Sequence, residues 1–169
     1  MTERVLITQG EHMVSDNPFL TISTLLGSCV ACCLWDSNMG VGGMNHMLLT
    51  GQNNVNDRFA GVNAMEVLIN DLLKLGARRS QLQAKAFGGA QMVTGLSDIG
   101  QENCAFILEF LANERIPCVS QSLGGRSARQ LIFTPTTGAV KMKIRRDAPA
   151  LEDTPAVACP SAGNGLELF

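Results

Sequence analysis

The sequence is short of positive charge, of long apolar runs and of histidine. Its 169 residues hold 13 Lys and Arg against 15 Asp and Glu, a formal net charge of −2. That balance lacks the basic excess of a nucleic-acid-binding domain, so no nucleic acid is expected as a partner. No stretch approaches the roughly 20 apolar residues of a membrane helix, and no membrane insertion is expected. The opening MTERVLITQGEHMV has no apolar core of a secretory signal. The chain is therefore expected in the cytoplasm, where thiols stay reduced. Its six cysteines then argue against a disulfide framework. FGGAQM lacks the Lys and the spacing of a phosphate loop, and no cofactor is anticipated. There is no internal repeat.

Hydrophobic residues make up 46% and charged residues 17%, the profile of one globular domain with a real core. A short strand is predicted over Val5–Thr8, followed by turn material around Pro18. Two apolar runs, Cys29–Trp35 and Val41–Leu49, flank a polar connection and read as a β-hairpin. From about Phe59 to Leu75 the period becomes helical at Val62, Met65, Ile69 and Leu72, with Gly76 as the stop. QLQAKAF reads as a strand. A second helix is predicted over about Gln101–Arg115, with Asp98 and Gln101 at capping-box spacing and Pro117 beyond its end. PCVSQ is a further strand, and RQLIF and AVKMKIR flank TPTTG as a second hairpin. In the last of these Lys141, Lys143 and Arg145 alternate with Met142 and Ile144, as on an edge strand with its charges turned outward. A basic strip facing an acidic partner surface is the alternative. Two main helices and six or seven strands give a mixed α/β (α+β) sandwich. Residues 1–146 form the expected domain. Residues 147–169, with three prolines and little periodicity, are expected as a mobile tail.

Three of the cysteines fall in TLLGSCVACCLWD: Cys29, Cys32 and Cys33. Cys29-x-x-Cys32 has zinc-knuckle spacing, with His46 as a further candidate ligand. But Val30 and Ala31 between them make no turn. On a strand, Cys29 and Cys33 share one face and Cys32 points to the other. Cys32, Cys33, Cys104 and Cys118 read as small buried hydrophobes. Cys29 differs, because it follows LGS where a loop enters the apolar run. His12 lies in a polar stretch and reads as a surface residue. His46 lies on the partner strand. If Trp35 pairs with Gly40 around a four-residue loop, Cys29 falls opposite His46, with Cβ atoms about 4.5–5.5 Å apart. A thiol beside an imidazole can become a thiolate, and the imidazolium can later protonate a leaving amine. Ser23 and Thr24 are the nearest hydroxyls that could orient the ring.

LGSCVACCLWD, VGGMNHMLL, AKAFGGAQM, IGQENCAFILEFL and LGGRSARQLIF…TGAVKMKIRR, in that order over roughly Glu3 to Arg146, resemble the bacterial chemoreceptor glutamine deamidases, CheD. The resemblance implies a three-layer β/β/α sandwich of the cysteine-hydrolase type, with Cys29 as the nucleophile and His46 as its base. It makes the third catalytic member, which orients the histidine, a threonine six residues before the cysteine, and so assigns that role to Ser23 here, with Thr24 as the rival. It also departs at Ser122, where the family often carries aspartate. By the same resemblance the substrate is the cytoplasmic helical region of chemoreceptors, whose glutamines become glutamates with release of ammonia. Glutamyl methyl ester hydrolysis is a related activity, and a CheC-type phosphatase is a partner. The alternative is a non-catalytic adaptor that binds receptor or phosphatase through the same surface.

Overall fold

The computed structural model describes residues 1–49, 55–92, 99–145 and 166–169. In chain order these form β1 (Glu3–Leu6), β2 (His12–Ser15), β3 (Leu20–Leu26), β4 (Val30–Asp36), β5 (Val41–Asn45), α1 (Val55–Lys74), a 3-10 turn (Arg79–Gln81), β6 (Gln83–Gly88), α2 (Ile99–Asn113), β7 (Cys118–Leu123), β8 (Ala128–Thr134), β9 (Ala139–Arg145) and β10 (Leu166–Leu168). One sheet runs β1-β3-β8-β9-β10 and the other β2-β5-β4-β6-β7. Both are mixed, because β1 pairs β3 and β6 pairs β7 in parallel while the other pairs are antiparallel. The second sheet is covered by α1, which packs on β2 and β5, and by α2, which packs on β4, β6 and β7. The expected three layers follow: sheet, sheet, helices.

Two cores result, and β4 serves both. All seven of its residues are buried, as suits a central strand covered on each face. Val30, Cys32 and Leu34 join Met65, Leu68, Ile69 and Leu72 of α1 and Phe106, Ile107 and Phe110 of α2. Ala31, Cys33 and Trp35 join Ile22, Leu26, Leu131 and Phe133 between the sheets. Cys32 and Cys33 are fully buried, one in each core. Helix α1 begins before its apolar stripe does, with a polar first turn (Asn56, Asp57, Arg58), and α2 begins at Ile99, two residues before the expected start. The proposed cap of α2, Asp98, lies outside the described residues.

The first hairpin has the expected four-residue loop but a different register. Asp36 is the last residue of β4, not the first of the loop, and pairs with Val41. Its carboxylate is buried and accepts the backbone N–H groups of Asn38 (3.0 Å), Met39 (3.2 Å) and Arg78 (2.9 Å). An aspartate that bonds the chain two residues on makes the turn start after itself. Trp35 consequently pairs with Gly42, two residues from the expected Gly40.

Three strands were absent from the sequence expectation. β2 is only four residues long. β3 (LTISTLL) resembles a turn because of its Thr and Ser, yet Leu20, Ile22 and Leu26 alternate into the inter-sheet core. β10 lies inside the stretch expected as a tail. Residues 146–165 fall outside those described, but the last four do not hang free. Leu166–Leu168 pair with Lys141–Lys143 of β9, so β9 is not an edge there, although Lys141 and Lys143 do face outward. Phe169 exchanges backbone bonds with Val140 (3.1 and 2.9 Å) and sets its ring edge-on against Phe87 at 5.4 Å. Buried Lys85 donates to the carbonyls of Phe169 and Gly138, both at 2.7 Å, and lies 5.2 Å from the Trp35 ring centroid.

Candidate active site

Cys29 sits one residue before β4, in a backbone fixed at three successive carbonyls. Gly27 O accepts from Ala90 N (3.0 Å) and Cys29 O from Gly89 N (2.8 Å), both from the FGGAQ turn that ends β6. Ser28 O accepts from Asn103 Nδ2 of α2 at 2.7 Å. Gly88 leaves β6 at φ +108, and a Cβ there would overlap the Cys29 carbonyl. Only glycine lets that turn approach so closely. Cys29 is half-buried and packs at the margin of the inter-sheet core. Burial pushes its thiol up, countered only by its own backbone N–H.

His46 follows β5 directly. Its N–H donates to Glu11 O (3.0 Å) and its carbonyl accepts from Gly10 N (2.9 Å), so its backbone is tied to the chain leading into β2. Next along, Val30 and Met47 exchange both backbone bonds, at 3.0 and 2.8 Å. With that pair in place, Cys29 and His46 are diagonal neighbours rather than directly opposed. A two-residue displacement of register keeps every side chain on its face, so the two still share the face toward the first sheet. Diagonal neighbours stand about 7–8 Å apart, a span that long or ring side chains bridge. Between Cys33–Met44 and Val30–Met47 the ladder loosens: Cys32 N–H donates to the Asn45 side-chain Oδ1 (3.0 Å).

The hydroxyl at His46 belongs to Thr24, not Ser23. Thr24 Oγ1 lies 2.7 Å from His46 Nδ1 and 2.8 Å from the Ile7 carbonyl. Ser23 Oγ instead donates to Val5 O at 3.4 Å. The reason is strand periodicity. Thr24 shares the inward face of β3 with Leu20, Ile22 and Leu26, and Ser23 points to the other face. Apolar residues at 20, 22 and 26 carry that signal in the sequence, once β3 is read as a strand.

The two bonds of Thr24 assign the ring protons. A hydroxyl has one proton, and a carbonyl can only accept. The Thr24 proton therefore goes to Ile7, and Thr24 accepts from His46 Nδ1–H. Nε2 is left with its lone pair, the form in which an imidazole can take a proton. Burial holds His46 below its usual value, and the Glu11 carboxylate partly opposes this. Burial thus disfavours the charged form of each, thiolate and imidazolium alike. His46 opens onto a 410 Å³ cavity bounded by Glu11, His12, Met47 and, from α1, Gly61 and Ala64. A second cavity of 330 Å³ lies on the FGGAQ side, with Gly89, Gln91, Cys104 and Leu123 in its wall.

Other candidates fall elsewhere. Cys32 faces the helix core while Cys29 lies at the inter-sheet core, so the two thiols of the knuckle spacing point to different layers. Among the described residues no group of three or more His, Cys, Asp or Glu is arranged to hold a metal ion. His12 is a surface residue whose Nε2 meets Asp71 Oδ2 at 2.6 Å. Ser122 accepts from Arg129 Nε at 3.1 Å. Sequence reasoning missed Asn103, which is fully buried in α2. Its place among Phe106, Ile107 and Phe110 on an apolar face was the available sign. No described helix is long and apolar enough to cross a membrane.

A solved Neisseria meningitidis protein of family DUF152 superimposes with a TM-score of 0.53 over 79% of this chain and 76% of that one. At 9% identity the likeness concerns the fold alone. Sequence relatives are much nearer. A Caulobacter sp. (strain K31) protein named probable chemoreceptor glutamine deamidase CheD is 49% identical, spanning 98% of this chain and 93% of its own. One of the same name from Agrobacterium fabrum (strain C58) is 43% identical over 99% and 97%. A Ruegeria sp. (strain TM1040) protein, probable chemoreceptor glutamine deamidase CheD 1, is 44% identical over 99% and 96%. The family model described as CheD chemotactic sensory transduction matches residues 47–144, starting directly after His46. With more than half of the sequence inside that match, and full-length relatives on both sides of it, the chain belongs to the CheD family.

Proposed function

We propose that this protein hydrolyses glutamine side-chain amides of chemoreceptors to glutamate in the cytoplasm, through a thioester on Cys29. The relatives' names supply the substrate class, and the residues supply a route. His46 Nε2 takes the Cys29 proton, and the thiolate attacks the carboxamide carbon. The oxyanion so formed can be met by the Cys29 backbone N–H, as in other thiol hydrolases. Collapse breaks the C–N bond, and His46 returns its proton to the departing ammonia. Water, deprotonated by His46, then attacks the thioester and expels the thiolate. The balance is one amide and one water to one carboxylate and one ammonium ion.

The observation that carries this reading is the two-bonded Thr24 hydroxyl. It fixes the imidazole tautomer whose Nε2 can serve a thiol on the same face. An adaptor would gain nothing from that arrangement. A glutamyl methyl ester would follow the same steps with methanol as the leaving group. The helical region of the receptor as docking segment, and a CheC-type phosphatase as partner, rest on the family resemblance alone. The test is to incubate the protein with a receptor cytoplasmic fragment, measure ammonia, and map Gln-to-Glu conversion by mass spectrometry. Conversion by the wild type and none by Cys29→Ala is the expected result. Equal traces from the two would end the proposal.

A further inference from the structure

Asn103 joins the segment carrying Cys29 to the segment carrying His46. Its Oδ1 accepts from Leu49 N at 2.9 Å and its Nδ2 donates to Ser28 O at 2.7 Å. The positions of those two backbone groups matter. In an antiparallel ladder, hydrogen-bonded pairs recur at every second residue. Val30 and Met47 are such a pair, so the next would be Ser28 with Leu49. Of the two ladder bonds of such a pair, one would run from the Leu49 N–H to the Ser28 carbonyl. The Asn103 amide stands in that bond's place, accepting from the one group and donating to the other.

Neither group needs Asn103 for its own sake. A closed ladder would satisfy both, and a leucine would fill the helix core. What the amide adds is width, about that of one carboxamide beyond the usual ~5.5 Å between paired Cα atoms. The strands are closed at Val30–Met47 and spread at Ser28–Leu49, and Cys29 lies between the two levels. The closed pair keeps His46 in register with the thiol. The spread pair leaves room beside it.

We infer that Asn103 is a positioning residue for Cys29: it holds the nucleophile strand and the histidine strand apart so that a carboxamide can reach the thiol. This rests on the amidohydrolase reading of Cys29 and His46, but it can be tested without it. The probe is iodoacetamide, itself a small carboxamide, with alkylation of each cysteine followed by peptide mass spectrometry. Cys118 is half-buried on β7 and serves as the internal reference. In Asn103→Leu the strands close, and Cys29 alkylation relative to Cys118 should fall at least about tenfold, with ammonia release falling alongside. Asn103→Asp keeps the volume and the acceptor for Leu49 but loses the donor to Ser28. It should show the same relative loss and decides the matter if Asn103→Leu does not fold. A folded variant of either kind with Cys29 alkylation within about two-fold of wild type overturns the inference. If the wild type converts no receptor glutamine, the amidase reading falls, while the alkylation ratio still decides the role of Asn103.

Discussion

Replacing Thr24 by valine separates the hydroxyl that touches His46 from the one that does not. Thr24 is 1% exposed, and its oxygen holds two bonds, at 2.7 Å to His46 and 2.8 Å to Ile7. Valine keeps the shape and removes both. A buried N–H or carbonyl left without a partner costs about 1–3 kcal/mol, so stability should fall by an amount of that order. The catalytic loss is separate. Without an acceptor at Nδ1 the ring has no reason to keep its proton there, and the tautomer with a free Nε2 loses its preference. If the 1–3 kcal/mol of that one bond appears in the barrier, kcat falls about 5- to 150-fold. Thr24→Ser, which restores the oxygen, should regain most of the rate. Ser23→Ala should stay within about two-fold of wild type. The assay is ammonia release from a receptor fragment, run below the unfolding temperature of each variant. Wild-type turnover in Thr24→Val together with a large loss in Ser23→Ala would refute the reasoning and return the orienting role to Ser23.

Burial lowers His46, so the neutral base persists into mild acid. The acid limb of kcat/KM should then fall at a pH below the ordinary histidine value. The stability contributed by holding His46 neutral is present above the unfolded histidine pKa and is lost as pH falls toward the folded one, which urea midpoints of wild type and His46→Ala would register. Cys32→Ala and Cys33→Ala each remove a buried sulfur from one of the two cores, and should lower stability by about 1 kcal/mol while leaving ammonia release near wild type.

How much of this was legible from sequence depends on which interactions decide each element. Both helices and the first hairpin follow from periodicity and appear where the pattern is strongest, whereas the layer order was implied by the family resemblance. Boundaries moved where a polar side chain took over a backbone bond. Asp36 displaced the hairpin register in that way, and Asn45 loosened the ladder beside His46. Strand parity puts Cys29 and His46 on one face and survives a two-residue error, whereas the choice between Ser23 and Thr24 turns on a single residue. Adjacent residues on a strand face opposite layers, so that choice needed β3 to be seen as a strand. Its Ser and Thr content hid this, although Leu20, Ile22 and Leu26 carried the alternation. Asn103 and the Phe169–Val140 pairing join segments far apart in the chain, and no local pattern announces such a contact.

The Thr24–His46 bond crosses from one sheet to the other, and this makes the gap between the sheets a mechanical variable of the site. Thr24 rides on the first sheet, while Cys29 and His46 ride on the second. Sliding one sheet over the other by a fraction of an ångström would lengthen a 2.7 Å bond that aims the imidazole, without moving the thiol relative to the ring. Packing at Leu131, Phe133 or Met44, all in the inter-sheet core, therefore bears on the alignment of the His46 ring as well as on the stability of the domain. Substitutions there should register as changes in rate before they register as loss of fold.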